Sequence, residues 1–188
     1  MESESNPRAV NIALFFLACG AIFWLGGTNI RAIIAFDLFE TGTLNYKTWL
    51  PPDAEREAFH LVAYTALYTI CGYIMVFISF TVFLAKTKLT LKENGWLMMC
   101  VIMFYMFVPV EIYQIVYDVQ MVLQERAVEG VINWFAVRTE AQSLLKGRLA
   151  ALSGVPVIAL LCYYTCIALA VWRPMRKMPK TVDSEPTK

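Results

Sequence analysis

The stretch that decides the fold is "LVAYTALYTICGYIMVFISFTVFLA", residues 61–85, which carries no charged side chain between His60 and Lys86. A helix needs roughly 20 apolar residues to cross a hydrocarbon layer about 30 Å thick. Apolar residues occupy every side of this run, whereas a soluble amphipathic helix keeps one polar face. The run therefore predicts a helix that spans a membrane.

Three further runs have the same character, because residues 9–30, 94–110 and 149–172 also lack charged side chains. The composition agrees: 59% of the 188 residues are apolar and 16% are charged, against about 25% charged residues in an ordinary soluble domain. We therefore predict an all-α integral membrane protein, one domain over residues 1–188, with four transmembrane helices in a compact bundle. The predicted spans and tail cover about 9–30, 58–85, 94–118, 148–172 and 173–188, the tail being basic and partly disordered.

Basic residues predict the orientation of this bundle. Those that flank the spans lie mostly on one side: Lys86, Lys88, Lys92, Arg173, Arg176, Lys177 and Lys180. Because cytoplasmic connections are enriched in Lys and Arg, both termini and the middle loop are predicted to be cytoplasmic, in a cell membrane or an inner membrane. The four basic residues of the tail, from Arg173 to Lys180, either fix this topology or also contact lipid headgroups.

Three carboxylates follow the third uncharged run at intervals of seven residues: Glu111, Asp118 and Glu125. If the third span starts near residue 94, Glu111 lies about 25 Å along it, at the outer boundary of the hydrocarbon layer. Each further interval adds about 10 Å. We therefore expect the third helix to project beyond the bilayer, with Asp118 and Glu125 as a carboxylate stripe in water.

The same depth argument brings other charged residues to this outer boundary. Arg31 follows the first span, Glu57 and His60 precede the second, and Arg148 precedes the fourth. Together with Glu111 they form a candidate vestibule for a ligand or an ion. Charge anchoring at helix ends is the commoner use of such residues, and it is the interpretation that the sequence favours.

A metal site built from Glu57, His60 and Glu111 is disfavoured. The chain has one histidine, whereas a membrane di-iron bundle needs two E-x-x-H motifs and bis-histidine haem needs a second imidazole. The five cysteines fall inside predicted spans without a C-x-x-C pair, where a thiol behaves as a small apolar side chain. We predict no catalytic residue, no metal site and no cofactor.

The interiors of the predicted spans contain almost no ionisable groups. Moving an ion or a proton through hydrocarbon generally requires such groups, or broken helices lined by polar groups. A monomeric pump is therefore disfavoured, whereas a pore at the axis of an oligomer stays open.

These observations favour a non-catalytic structural or accessory subunit of a larger membrane assembly. Its expected partners are the lipid bilayer and other membrane proteins or further copies of this chain, and no nucleic acid. Ala150 and Gly154 form a small-x-x-x-small pair in the fourth span that would let another helix approach closely. Two alternatives stay open: a small-solute or ion transporter or channel with a polar outer vestibule, and a membrane enzyme that handles lipid or quinone.

Overall fold

The computed structural model describes residues 7–130, 134–150 and 154–174. Within these ranges the chain forms five α-helices: α1 (Pro7–Asp37), α2 (Pro52–Lys86), α3 (Gly95–Gly130), α4 (Trp134–Ala150) and α5 (Val155–Trp172). Of these, α1, α2, α3 and α5 are long and apolar enough to cross a membrane. The predicted all-α class and the compact bundle with four spans are thereby confirmed.

Three of the helices are longer than a membrane crossing requires. The 36 residues of α3 extend over about 54 Å, against a hydrocarbon layer of about 30 Å. The excess lengths of α1, α2 and α3 meet at one end of the bundle, where α4 joins them. We call this end, residues 31–60, 114–130 and 134–150, the cap. At the opposite end lie the start of α1, the α2–α3 connection and the end of α5.

The cap has an apolar core of its own. Its most deeply buried side chains include Phe59 from α2, Met121 from α3 and Leu145 from α4, each no more than 2% exposed. The α1–α2 connection closes over this core through an isolated bridge between Phe39 and Tyr46. The projecting helix ends are therefore packed against one another.

The spans pack around a second core that is rich in aromatic rings. The Trp24 ring of α1 lies 4.6 Å from that of Tyr163 on α5 and 5.0 Å from that of Tyr73 on α2. Phe80 and Phe104 meet edge to face at 5.0 Å. Aromatic pairs at such distances add packing energy beyond the area they bury. These rings fill the centre of the bundle below the cap.

The fourth span starts later than the sequence predicts. A single helix over 148–172 is wrong, because α4 ends at Ala150 and α5 begins at Val155. Gly154 has a φ of +92°, which glycine adopts at little steric cost, and Pro156 in the first turn of α5 lacks the amide hydrogen that a continuous helix would need. The predicted pairing of Ala150 and Gly154 on one helix face is wrong for the same reason.

The helices α1 and α2 approach each other closely. A Cβ atom added to Gly72 would lie 2.7 Å from the Trp24 backbone nitrogen and 3.1 Å from the Gly20 carbonyl oxygen. A Cβ atom added to Gly20 would lie 3.0 Å from the Gly72 carbonyl oxygen. Small residues at such a crossing let two backbones approach closely in a membrane.

Gly72→Ala should therefore force α1 and α2 apart. We expect a loss of about 1–3 kcal/mol in the free energy of unfolding, as overpacking typically costs. Gly26→Ala is the matched control, because a Cβ there meets nothing within 4 Å and alanine favours a helix over glycine by roughly 0.5–1 kcal/mol. Unfolding in mixed micelles, followed by circular dichroism, measures both. Equal stability of the two variants would contradict the close crossing.

Candidate functional site

Three buried charges form a triad that joins three helices. Arg31 of α1 donates to both carboxylate oxygens of Asp118 on α3, over 2.6 and 2.9 Å. Arg148 of α4 donates from Nε to the same carboxylate over 2.5 Å. The three residues are 1%, 3% and 8% exposed, in the order Arg31, Asp118 and Arg148. One carboxylate thus holds two guanidinium groups inside the protein.

Arg31 also reaches the second helix. Its Nε donates to the Val62 carbonyl oxygen over 3.0 Å, and its Nη1 donates to the Thr69 hydroxyl over 3.0 Å. A buried charge is costly unless it is paired and its hydrogen-bonding capacity is met. Because Arg31 meets both conditions, it ties α1 to α2 and α3 at the base of the cap.

Asp118 and Glu125 do not lie in water. The expectation of an exposed carboxylate stripe is wrong, because the two residues are 3% and 5% exposed. The cap covers both: Arg31 and Arg148 pair with Asp118, and His60 Nδ1 lies 2.7 Å from Glu125 Oε1. The third helix does extend beyond its apolar stretch, but other parts of the chain enclose it.

A signal in the sequence could have revealed this burial. The buried face of α3 advances by three or four residues at each step, and its members include Leu97, Cys100, Phe104, Phe107, Val110, Gln114, Asp118, Met121 and Glu125. Such spacing is typical of one continuous helix face. The two carboxylates lie on the same face as the apolar core residues, and this predicts burial of both.

The structure brings together some of the predicted vestibule residues and separates others. Arg148 and Glu111 line one pocket. Arg31 does not line it, but it is hydrogen-bonded to Asp118, which does. Glu57 is exposed, and His60 pairs with Glu125 instead of Glu111. Glu57 and His60 therefore do not belong to the pocket.

Another acidic residue, Glu55, is the buried acid at the start of α2. Its carboxylate accepts hydrogen bonds from Arg138 Nε over 2.9 Å, from Arg138 Nη2 over 2.6 Å and from Gln142 Nε2 over 2.6 Å. The carboxylate raises the pKa of Arg138 above its usual value. These contacts fasten α4 to α2, and no spacing in the sequence indicated them.

The pocket that contains Glu111 lies between α1, α2, α3 and α5, with α4 above it. Its volume is about 110 Å³, and Trp24, Tyr73 and Tyr163 line it beside Glu111. Tyr73 is 6% exposed and Tyr163 is 4% exposed, and neither hydroxyl has a hydrogen-bond partner among the described residues. The Glu111 carboxyl group is the charged neighbour that both hydroxyls share, and it lies close to the Tyr163 hydroxyl. We call this site the polar pocket.

The donors and acceptors in the polar pocket suit a small polar group. Each tyrosine hydroxyl both donates and accepts, while an ionised Glu111 only accepts. Among the described residues, no group of three His, Cys, Asp or Glu side chains is arranged to hold a metal ion. Asp118 follows Glu111 by seven residues on α3, and two arginines already bind its carboxylate.

The predicted headgroup residues lie at the end of the bundle opposite the cap. The Arg173 guanidinium carbon is 5.8 Å from the centre of the Trp96 ring, a distance that allows a cation–π interaction. Arg176, Lys177 and Lys180 lie outside the described residues, so their contact with lipid headgroups stays a prediction.

Fold and pocket together define a multi-pass helical membrane protein with a polar pocket beneath a folded cap. Comparisons of the chain with profiles of protein families, with curated proteins and with solved structures gave no match. The function must therefore be inferred from the geometry of this chain alone.

Asp118→Asn should destabilise the fold strongly, because it leaves two buried guanidinium groups without their counter-charge. Breaking a buried ion pair in this way costs about 3–5 kcal/mol. Asp37→Asn is the matched control: its carboxylate pairs with Lys47 over 2.8 Å but is 82% exposed, and exposed pairs contribute about 0–1 kcal/mol. The unfolding free energy in one detergent compares the variants. Similar losses in both would contradict the structural role of the triad.

Proposed function

We propose that this protein is a non-catalytic membrane protein that binds a small polar group in the polar pocket. The observation that carries the proposal is the pair of buried hydroxyls on Tyr73 and Tyr163, two residues that line the pocket; neither hydroxyl has a hydrogen-bond partner among the described residues. Buried polar groups in proteins nearly always have a partner. Two such hydroxyls beside a carboxyl group are therefore suited to bind a third polar group.

Binding is favoured over catalysis by the state of the neighbouring charges. Arg31 and Arg148 are held by Asp118, so their charge is already committed to a structural contact. Other polar groups that line the pocket, among them Glu111 and the two tyrosines, can exchange hydrogen bonds with a ligand. The described residues that line the pocket include no serine, cysteine or histidine, which most often supply the nucleophile or the general base in covalent catalysis.

An accessory role in a larger assembly is the second candidate, and the surface of α5 favours it. Only 11% of the most apolar stretch of α5 is buried inside the protein, and α5 packs mainly along α3. Val171 and Trp172 are more than 70% exposed. This surface suits contact with lipid or with a helix of another membrane subunit. A membrane protein that copurifies at a fixed ratio, with no small molecule bound, would favour this candidate.

A transporter or channel within one chain is less well supported. Beyond the rings of Trp24 and Tyr163, which lie at the edge of the polar pocket, the core side chains are apolar and include Phe80, Phe104 and Leu97. A route for ions through hydrocarbon needs polar or ionisable groups along its length. This aromatic core supports a site that opens at one level of the bundle instead of a path through it.

We also propose that the cap lies outside the cytoplasm and the opposite end inside it. Lys86, Lys88, Lys92 and Arg173 lie at the end opposite the cap, in or beside short connections, where the positive-inside rule has most weight.

Labelling with a membrane-impermeant maleimide tests this orientation. Thr41→Cys, at an exposed position of the cap, should react in intact cells. Lys88→Cys, exposed at the opposite end, should react only after permeabilisation, because the bilayer excludes the charged reagent. The unmodified chain gives the background from its own five cysteines. Reaction of both variants in intact cells, or the reverse order, would overturn the orientation.

Removing the two tyrosine hydroxyls should release the bound molecule. We expect the wild-type protein, purified in mild detergent, to retain a small molecule at close to one per chain. Tyr73→Phe/Tyr163→Phe should retain about tenfold less, because each lost hydrogen bond contributes about 0.5–1.5 kcal/mol and 1.4 kcal/mol is tenfold. Solvent extraction followed by mass spectrometry measures the retained amount.

Tyr68→Phe is the control for this experiment. Tyr68 lies on α2 like Tyr73, but its side chain is 61% exposed and does not line the pocket. It should retain as much small molecule as the wild type. A wild-type protein that carries no small molecule, or equal loss in the Tyr68 variant, would contradict the proposed function.

A further inference from the structure

An apolar cleft adjoins the polar pocket on the side away from the cap. It lies between α1 and α5, with α2 and α3 as its floor, and has a volume of about 370 Å³. Its lining includes Leu17 and Ala21 on α1, Phe80 on α2, and Ile167 on α5. This volume lies within the range of about 300–1,000 Å³ that is usual for ligand sites.

The cleft faces the lipid because α1 and α5 are packed on different neighbours. α1 packs mainly against α2, and α5 packs mainly against α3. Of the four spans, these two helices bury the smallest share of their most apolar stretch inside the protein, 22% for α1 and 11% for α5. A hydrogen bond from Asn29 to the Tyr164 hydroxyl joins them close to the polar pocket. A molecule dissolved in the bilayer can therefore reach the cleft from the side, below that bond.

The two cavities meet at a pair of aromatic rings. Trp24 and Tyr163 line both the polar pocket and the apolar cleft. A ligand that occupies both must therefore be an amphiphile, with a polar group at the cap end and an apolar part directed away from the cap. The polar pocket of about 110 Å³ limits the polar group to a small one.

The charges around the polar pocket define the class of polar group. When Glu111 is ionised, the charges of Arg31 and Arg148 balance those of Asp118 and Glu111. An anionic headgroup would add an unbalanced charge in a largely buried site, which is costly. An ammonium group would likewise add an unbalanced charge, and it cannot accept a hydrogen bond from either tyrosine. A hydroxyl group both donates to Glu111 and accepts from Tyr73 or Tyr163.

We propose that the protein binds a hydrophobic alcohol of the membrane, a neutral amphiphile with one hydroxyl group and an apolar chain or ring system. The hydroxyl lies among Glu111, Tyr73 and Tyr163, and the apolar part lies in the cleft between α1 and α5. This proposal depends on the proposed function, because it names the class of molecule that the polar pocket holds.

Photolabelling in nanodiscs of phosphatidylcholine tests this assignment. The probes are 1-hexadecanol with a diazirine in the middle of its chain and hexadecyl phosphate with the same diazirine. The alcohol should label the cleft residues on α1 and α5 in a saturable manner, and unlabelled hexadecanol should compete. The phosphate should label them at least about tenfold less, because its charge is costly to bury. Mass spectrometry of the digested protein locates the labelled residues.

Two variants fill the cleft, and a third is their control. Ala21→Trp and Ile167→Trp place an indole in the cleft from α1 and from α5 and should remove most of the alcohol labelling. Ile22→Trp places the same ring on a residue that is 72% exposed and outside the cleft, so it should leave labelling unchanged. Monodisperse elution of each variant in detergent shows that it is folded. With two filling positions, the failure of one variant to fold leaves the other as the test.

The outcomes separate this inference from the proposed function. Alcohol labelling that is not saturable, or that persists in both filled variants, overturns the inference even if a small molecule still copurifies in a tyrosine-dependent manner. Saturable labelling that is unchanged by Tyr73→Phe/Tyr163→Phe overturns the assignment of the hydroxyl to the polar pocket. The phosphate probe could instead label the cleft more strongly than the alcohol and lose that labelling in Arg173→Gln. This result would show that the polar group lies at the end opposite the cap, and it would also overturn the proposal.

Discussion

The carboxylate of Asp118 is the contact on which the cap depends. It holds Arg31 and Arg148 at once, and so joins α3 to the end of α1 and to α4. Each of these charges would be costly to bury alone, and together they satisfy one another at a level where the spans end. The triad therefore links the cap to the spans through three helices.

This constraint also creates the polar pocket. Because Arg31 is fixed to α2 through Val62 and Thr69, the upper part of α1 lies close against α2, where Gly72 already permits close approach. α5 starts only after the break at Gly154 and packs along α3. The space left between α1 and α5 becomes the pocket and the cleft. Close α1–α2 packing on one side thus accompanies the opening between α1 and α5 on the other.

The fold could be predicted from the sequence, and the site only in part. Uncharged runs long enough to cross hydrocarbon set the four spans, since that requirement does not depend on tertiary contacts. The depth of a residue along a helix likewise placed Arg31, Glu111 and Arg148 at one level. Depth says nothing about which side of a helix faces inward. The depth argument therefore predicts, wrongly, that Asp118 lies in water. The seven-residue spacing that it shares with the apolar face of α3 held that information.

The buried polar and charged residues near the cap are of two kinds. In the triad the charges pair with one another within the protein, so its role is structural. Glu111, Tyr73 and Tyr163 lie beside it in one pocket, yet the two hydroxyls have no hydrogen-bond partner among the described residues. Charge anchoring alone accounts for the triad but gives no reason to bury two tyrosine hydroxyls next to a carboxyl group. Charge anchoring therefore accounts for the burial of Asp118 with its two arginines. A bound ligand is the better explanation of the two unpaired hydroxyls in the pocket.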